Sequence, residues 1–129
     1  MNYADFFKGI KTIAVVGLSD NPERYSYQVA EYLMKHGFKI IPVNPNIESV
    51  FGLKSYNSLS EINELVDAVD IFRKSEFVGP IVDEAIKIKA KAVWMQEGVS
   101  DEKGATKARN AGLVVFENLC MMKEHKKSS

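Results

Sequence analysis

The sequence is poor in cysteine and has no net charge. Its 129 residues include one cysteine, Cys120, so no disulfide can form within the chain. This cysteine usage is typical of a reducing compartment, and we expect a cytoplasmic protein. Seventeen basic residues balance seventeen acidic ones, whereas dedicated nucleic-acid-binding proteins usually carry a basic excess. The chain is therefore not expected to bind nucleic acid.

Long apolar runs and obvious catalytic clusters are also missing. No run approaches the roughly 18 residues of a membrane span, and the N-terminus lacks the basic and apolar regions of a signal peptide. Cys120, Glu124 and His125 are too few and too poorly spaced for a zinc site. We find no nucleophile with an obvious base. The sequence thus predicts no membrane association, no metal site and no catalytic residues.

What the sequence does contain is a regular alternation of short apolar runs and helical patterns. The length fits a single domain over residues 1–129. Strand, helix and strand in succession predict right-handed crossovers and a parallel sheet between two layers of helices, an α/β architecture. In such sheets, ligands bind beyond the carboxyl ends of the strands. The predicted strands cover residues 12–16, 39–43, 68–72, 92–95 and 113–116.

The loop after the first predicted strand is a candidate phosphate site. Gly17 permits close approach of a ligand to the backbone, Ser19 offers a hydroxyl and Arg24 a positive charge. Ser26 is a candidate N-cap, and the free N–H groups at the start of its helix favour an anion. The loop is not a GxGxxG motif, because Leu18 and Ser19 stand where the second glycine would be. It is not a Walker A loop either, because the second glycine and the Lys-Ser/Thr pair of that motif are missing. The alternative is an ordinary strand-to-helix turn.

The second predicted strand ends at Asn44, where dinucleotide-binding dehydrogenases usually carry an acid for the ribose hydroxyls. An acid would repel a phosphate on that ribose and an amide would not, so Asn44 weighs against plain NAD. Alternatively, Pro42 and Pro45 only shape the exit of the strand.

Two further strand ends carry polar or basic residues. Phe72 and Arg73 could face an adenine and an anion, whereas Lys74 is better explained as a solvated surface charge. Gln96 offers a hydrogen-bond donor and an acceptor, and Gly98 again allows close backbone approach. The alternative for Gln96 and Gly98 is a turn with a polar face.

The combined motifs resemble the stand-alone CoA-binding domain family, which is similar to the CoA-binding domain of the succinyl-CoA synthetase α subunit. The motifs that carry this resemblance are residues 15–27, 37–45, 69–73, 94–99 and 111–125, in that order. The resemblance implies a five-stranded Rossmann-like sheet with the strand order 3-2-1-4-5. It also implies coenzyme A as the ligand, and the 3′-phosphate of CoA suits an amide at Asn44.

By the same resemblance, CoA would lie across the ends of the strands. The expected contacts are Gly17, Leu18 and Ser19 at the pyrophosphate, Val43, Asn44 and Pro45 at the adenosine, Phe72 and Arg73 beside the nucleotide, and Gln96 and Gly98 at the pantetheine arm.

The resemblance transfers ligand binding but not ligase chemistry. The phospho-accepting histidine of the synthetase belongs to a second domain, and its nucleotide grasp comes from another subunit. We therefore expect a protein that binds CoA or acyl-CoA without catalytic activity of its own. Two alternatives remain: a small NAD(P)-dependent oxidoreductase or redox sensor, and an interaction subunit whose nucleotide site is vestigial.

Overall fold

A computed structural model describes residues 2–128 of the chain, which form a central parallel sheet between two layers of helices. The three strands at the centre of the sheet are buried along their whole length, as expected of a parallel sheet covered by helices. The elements in chain order are α1 (Tyr3–Lys8), β1 (Thr12–Val16), α2 (Tyr25–Lys35), β2 (Lys39–Val43), β3 (Ser49–Val50), β4 (Leu53–Lys54), β5 (Ala68–Ile71), α3 (Val78–Lys87), β6 (Ala92–Met95), α4 (Glu102–Asn110), β7 (Val114–Phe116) and α5 (Met121–Ser128).

Each face of the sheet is covered by its own set of helices. One core contains the buried sides of α1, α2 and α5, and the other contains those of α3 and α4. The predicted α/β class is therefore confirmed. In the part of the chain that the structure covers, no helix is long and apolar enough to cross a bilayer.

The predicted strand order is wrong. The five-stranded sheet has the order β2-β1-β5-β6-β7, so the third long strand pairs with β1 and not with the outer edge of β2. In the described part of the chain, the ladder on that outer edge is a single bridge to Tyr56, formed by Tyr56 N–H to Pro42 O (3.0 Å) and Asn44 N–H to Tyr56 O (2.9 Å). The next rung of this ladder would need an N–H on Pro42. Because proline has none, the pairing stops there.

Gly37 ends α2. Gly37 has a φ of 93°, its N–H donates to Met34 O, and Phe38 N–H donates to Leu33 O. These two bonds form a Schellman motif, which favours glycine at this position. The motif turns the chain directly into β2.

An aromatic cluster fixes α5 against the rest of the domain. Trp94 stacks on Phe116 with a ring-centroid distance of 4.2 Å, and its indole N–H donates to Leu119 O at 2.8 Å. His125 Nδ1 lies 2.7 Å from Tyr32 Oη, which joins α5 to α2. The chain at Leu119 is therefore held beside the carboxyl end of β6, and α5 packs from there against one face of the sheet.

Candidate functional site

A pocket of about 350 Å³ opens at the carboxyl ends of β1, β5 and β6. It lies between β1 and β5, where the strand order changes direction, which is the usual ligand position in open α/β sheets. The lining residues are Gly17, Ser19, Arg24, Tyr25, Ser26, Phe72, Arg73, Lys74, Gln96, Glu97, Gly98 and Val99.

Most of the residues predicted for the site therefore meet in one pocket. Tyr25, Glu97 and Val99 line it without having been singled out from the sequence. Lys74, which the sequence suggested was only a solvated charge, also lies on the wall.

Gly17 is required by the packing of the chain itself. Its φ is 87°, and a Cβ at this position would collide with the carbonyl oxygen of Phe72 and press on Arg73 Cδ. Its N–H donates to Val43 O at 2.8 Å. Glycine thus lets the loop after β1 pass directly over the end of β5, which brings the two loops together at the pocket.

The predicted N-cap role of Ser26 is wrong. The helix begins two residues earlier than that role requires, with Arg24 in extended conformation at the N-cap and no side-chain capping bond. Ser26 is buried inside the first turn, and its Oγ accepts the N–H of Ser19 at 3.0 Å. Ser26 therefore holds the loop against the helix, while the N–H groups of the first turn have no partners within the helix.

Arg73 and Lys74 bring positive charge to the end of β5. The guanidinium of Arg73 lies 4.8 Å from the centre of the Phe77 ring, a cation–π contact that fixes its position at the pocket wall. Phe72, half-buried, meets the ring of Tyr25 edge to face at 6.4 Å. Together with Arg24, these side chains make the β1–β5 side of the pocket electropositive.

Tyr25 forms the opposite rim with the only cysteine of the chain. Its hydroxyl lies 2.6 Å from Cys120 Sγ and 3.3 Å from Glu97 Oε1. Burial, followed by the hydrogen bond to Cys120, raises the pKa of Tyr25. Lys123 Nζ lies 3.0 Å from Glu97 and lowers the pKa of that carboxyl. The negative charge at the rim is thus paired.

A buried carboxyl lies behind the pocket wall. Asp70 in β5 is fully buried, and its Oδ1 accepts a hydrogen bond from Gln96 Nε2 at 2.6 Å. Burial raises the pKa of Asp70 to about 7, against the lowering effect of this bond. Asp70 Oδ2 and Gln96 Oε1 have no hydrogen-bond partner among the residues that the structure describes. The sequence signal for Asp70, a charge inside an apolar strand, was overlooked.

Four predicted contacts are not brought into this pocket. Leu18 and Val43 are buried in the core. The Asn44 amide donates to Leu18 O at 2.9 Å and accepts the N–H of Asn46 at 2.9 Å, so its polar atoms serve the loops. Pro45 lines a separate open hollow of about 780 Å³ beside β3 and β4.

The described residues contain no group of three or more histidine, cysteine, aspartate or glutamate side chains that could hold a metal ion.

A family model described as a CoA binding domain matches residues 11–126. The chain belongs to this CoA-binding domain family. The fold, with its pocket at the strand ends, agrees with that membership.

The chain is similar in sequence to proteins of two kinds: one that it matches over most of its length, and ligase subunits that it matches over a small part. An uncharacterized protein of Bacillus subtilis strain 168, YneT, is 38% identical over 115 residues, which cover 89% of this chain and 85% of the relative. The α subunit of an ADP-forming acetate–CoA ligase II from Pyrococcus furiosus is 39% identical over 75 residues. That match covers 57% of this chain but only 16% of the subunit.

Solved structures share the complete architecture. A hypothetical protein from Pyrococcus horikoshii OT3 superposes with a TM-score of 0.93 at 40% identity, covering 95% of this chain and 87% of the other. A Thermus thermophilus protein has the same TM-score at 31% identity, with 97% and 95% covered. The match thus covers most of these proteins but only a small part of the ligase subunit.

Proposed function

We propose that this protein binds CoA or an acyl-CoA in the pocket between β1 and β5 and catalyses no reaction of its own. The observation that carries the proposal is the convergence of an uncapped helix N-terminus and basic side chains on this pocket, in a chain of the CoA-binding domain family. The single reduced cysteine suits a cytoplasmic location for this role.

The electrostatics of the pocket suit a pyrophosphate. The first turn of α2 offers backbone N–H groups and the positive end of the helix dipole. Arg24, Arg73 and Lys74 add positive charge, whereas Glu97 is paired with Lys123. In this assignment the pyrophosphate lies near Gly17 and Ser19, and the pantetheine arm passes Gln96 and Gly98.

The chemistry of the pocket favours binding over reaction. Its nearest thiol, Cys120, is buried against the phenol of Tyr25, whose raised pKa keeps it protonated and so unavailable as a base. Glu97 is held by Lys123. The ligases that share this domain are much longer than this chain, so the proposal transfers from them the ligand and not the reaction.

Calorimetric titration with CoA, dephospho-CoA, NAD and NADP tests the assignment. We expect binding of CoA, with weaker binding of dephospho-CoA and none of NAD. Thermal unfolding adds a second measurement, because CoA at a hundredfold excess over its Kd should stabilise the fold by about 2.7 kcal/mol. Binding of NAD or NADP without CoA would support the oxidoreductase alternative. Binding of none of the four would support a vestigial site.

A further inference from the structure

The side chain of Arg73 is held in place at two points along its length. Its aliphatic stem lies against Gly17, where an added Cβ would come within 3.1 Å of Arg73 Cδ. Its guanidinium lies 4.8 Å from the centre of the Phe77 ring, within the range of a cation–π contact. The charged end of Arg73 is therefore fixed beside the pocket that this residue helps to line.

Neither of these contacts uses a hydrogen-bond donor of Arg73. A guanidinium that lies over a ring turns its face to the ring, whereas its five N–H donors lie in its own plane. Among the residues that the structure describes, no carboxylate forms an ion pair with Arg73 and no acceptor takes a hydrogen bond from its side chain. Arg109, in contrast, reaches Glu117 at 3.9 Å. The donors of Arg73 are thus available to an anion in the pocket.

The ring that holds Arg73 contributes little to the interior of the domain. Phe77 is 44% exposed and belongs to neither hydrophobic core, whereas Val78, the next residue, is fully buried. Phe77 does not line the pocket either. What the ring does contact is the guanidinium of Arg73.

The segment that joins these two residues has a defined shape. Ser75–Phe77 form a short 3₁₀ turn, in which Phe77 N–H donates to Lys74 O at 2.9 Å. Ser75 Oγ accepts the N–H of Ser100 at 3.0 Å, which ties this turn to the loop after β6. The backbone therefore keeps the ring of Phe77 within reach of Arg73.

We propose that Phe77 is a positioning residue for ligand binding, which holds the Arg73 guanidinium ready for a phosphate group of the ligand. This inference rests on the proposed function, which supplies the pyrophosphate. A long side chain that has to be ordered during binding lowers the affinity, whereas one that is ordered beforehand does not. Phe77 orders Arg73 when the protein folds, so an entering phosphate meets donors that are already in place.

Calorimetric titration with CoA measures the effect of Phe77. Phe77→Ala should weaken binding about three- to tenfold, as expected when one long side chain has to be ordered on binding. Phe77→Tyr keeps the aromatic face and should bind CoA within about twofold of the unaltered protein. Phe77→Leu keeps an apolar side chain without that face and should resemble Phe77→Ala. It also replaces Phe77→Ala in the test if the alanine variant does not fold.

A double-mutant cycle separates positioning from general damage to the fold. In the Arg73→Ala background, Phe77→Ala should cause no further loss of CoA affinity, because the side chain that it positions is absent. Leu65→Ala is the matched control, since Leu65 is an apolar side chain that is 81% exposed and lies outside the pocket lining. It should leave the affinity unchanged.

Three results would overturn this inference alone: full CoA affinity in Phe77→Ala, full affinity in Phe77→Leu, or an equal loss from Phe77→Ala with and without Arg73. Absence of CoA binding by the unaltered protein would overturn it together with the proposed function.

Discussion

The carbonyl oxygen of Phe72 occupies the space that a side chain at Gly17 would need. This contact brings the loop after β1 against the end of β5, and it is the reason why the two loops form one pocket. Because Gly17 also has a φ of 87°, any other residue would suffer both backbone strain and a collision.

We expect Gly17→Ala to destabilise the fold by about 2–4 kcal/mol, since the cost of the left-handed backbone, roughly 1–2 kcal/mol, adds to the collision. Gly37→Ala is the matched control, because Gly37 has a φ of 93° and open space around its Cα. It should show the backbone cost alone. Urea unfolding of both variants measures the difference. Equal losses would mean that the Phe72 contact relaxes without cost.

Asp70 should make the stability of the protein depend on pH. Its pKa of about 7 in the fold lies above the ordinary value of 3.8, so the native state holds a proton that the unfolded chain has released. The contribution of Asp70 to stability is therefore largest in acid and falls as pH rises, by up to about 1.4 kcal/mol per unit. Above pH 7 the contribution of Asp70 to stability levels off.

Urea unfolding between pH 5 and pH 8 checks this dependence. His125 acts in the opposite direction, because burial lowers its pKa and its contribution rises with pH. The Asp70→Asn variant keeps His125, so the difference between the pH profiles of the two proteins isolates the contribution of Asp70. Identical pH profiles for the two proteins would show that Asp70 does not titrate in this range.

Arg73 should contribute directly to ligand affinity. If its guanidinium contacts a phosphate of CoA, Arg73→Ala should weaken binding by roughly 1–3 kcal/mol. Arg109→Ala removes the same charge from α4, outside the pocket lining, and should change the affinity little. Calorimetric titration with CoA compares the variants. Equal CoA affinities for Arg73→Ala and Arg109→Ala would mean that Arg73 makes no contact with the ligand.

Tyr25 should control access to Cys120. The thiol is 2% exposed and lies against the Tyr25 hydroxyl. Tyr25→Ala should therefore speed the reaction of the thiol with a chromogenic disulfide reagent. Tyr25→Phe, which keeps the ring, should have a smaller effect. Because Cys120 is the only cysteine, the absorbance change reports it alone. Unchanged rates in Tyr25→Ala would mean that other groups cover the thiol.

The elements of the fold were readable from local patterns, whereas the pairing between them was not. The bounds of β1, β2 and β6 match the apolar runs in the sequence, because strands buried on both faces are mostly apolar. The choice of β1 as the neighbour of β5 depends on contacts between distant segments. Pro42 has no N–H to donate, which limits strand pairing on the outer edge of β2. The sequence alone does not reveal whether Pro42 faces that outer edge or β1.

The site shows the same division. Gly17, Arg73 and Gln96 follow strands directly, and the edge rule brings such residues together. The hydrogen bond between Tyr25 and Cys120 joins residues that are 95 positions apart, and no local sequence pattern predicts it. Ser26 looked like a cap because serine favours that position, yet its hydroxyl serves the Ser19 backbone.

Asn44 holds its loop in shape before any ligand arrives. Its side chain ties the loop after β2 both to Leu18 and to its own turn at Asn46. The conformational entropy of that loop is therefore lost during folding and not during binding. Preorganisation of this kind favours a modest structural change, so the loop after β2 should keep the same shape whether or not a ligand is bound elsewhere at the strand ends.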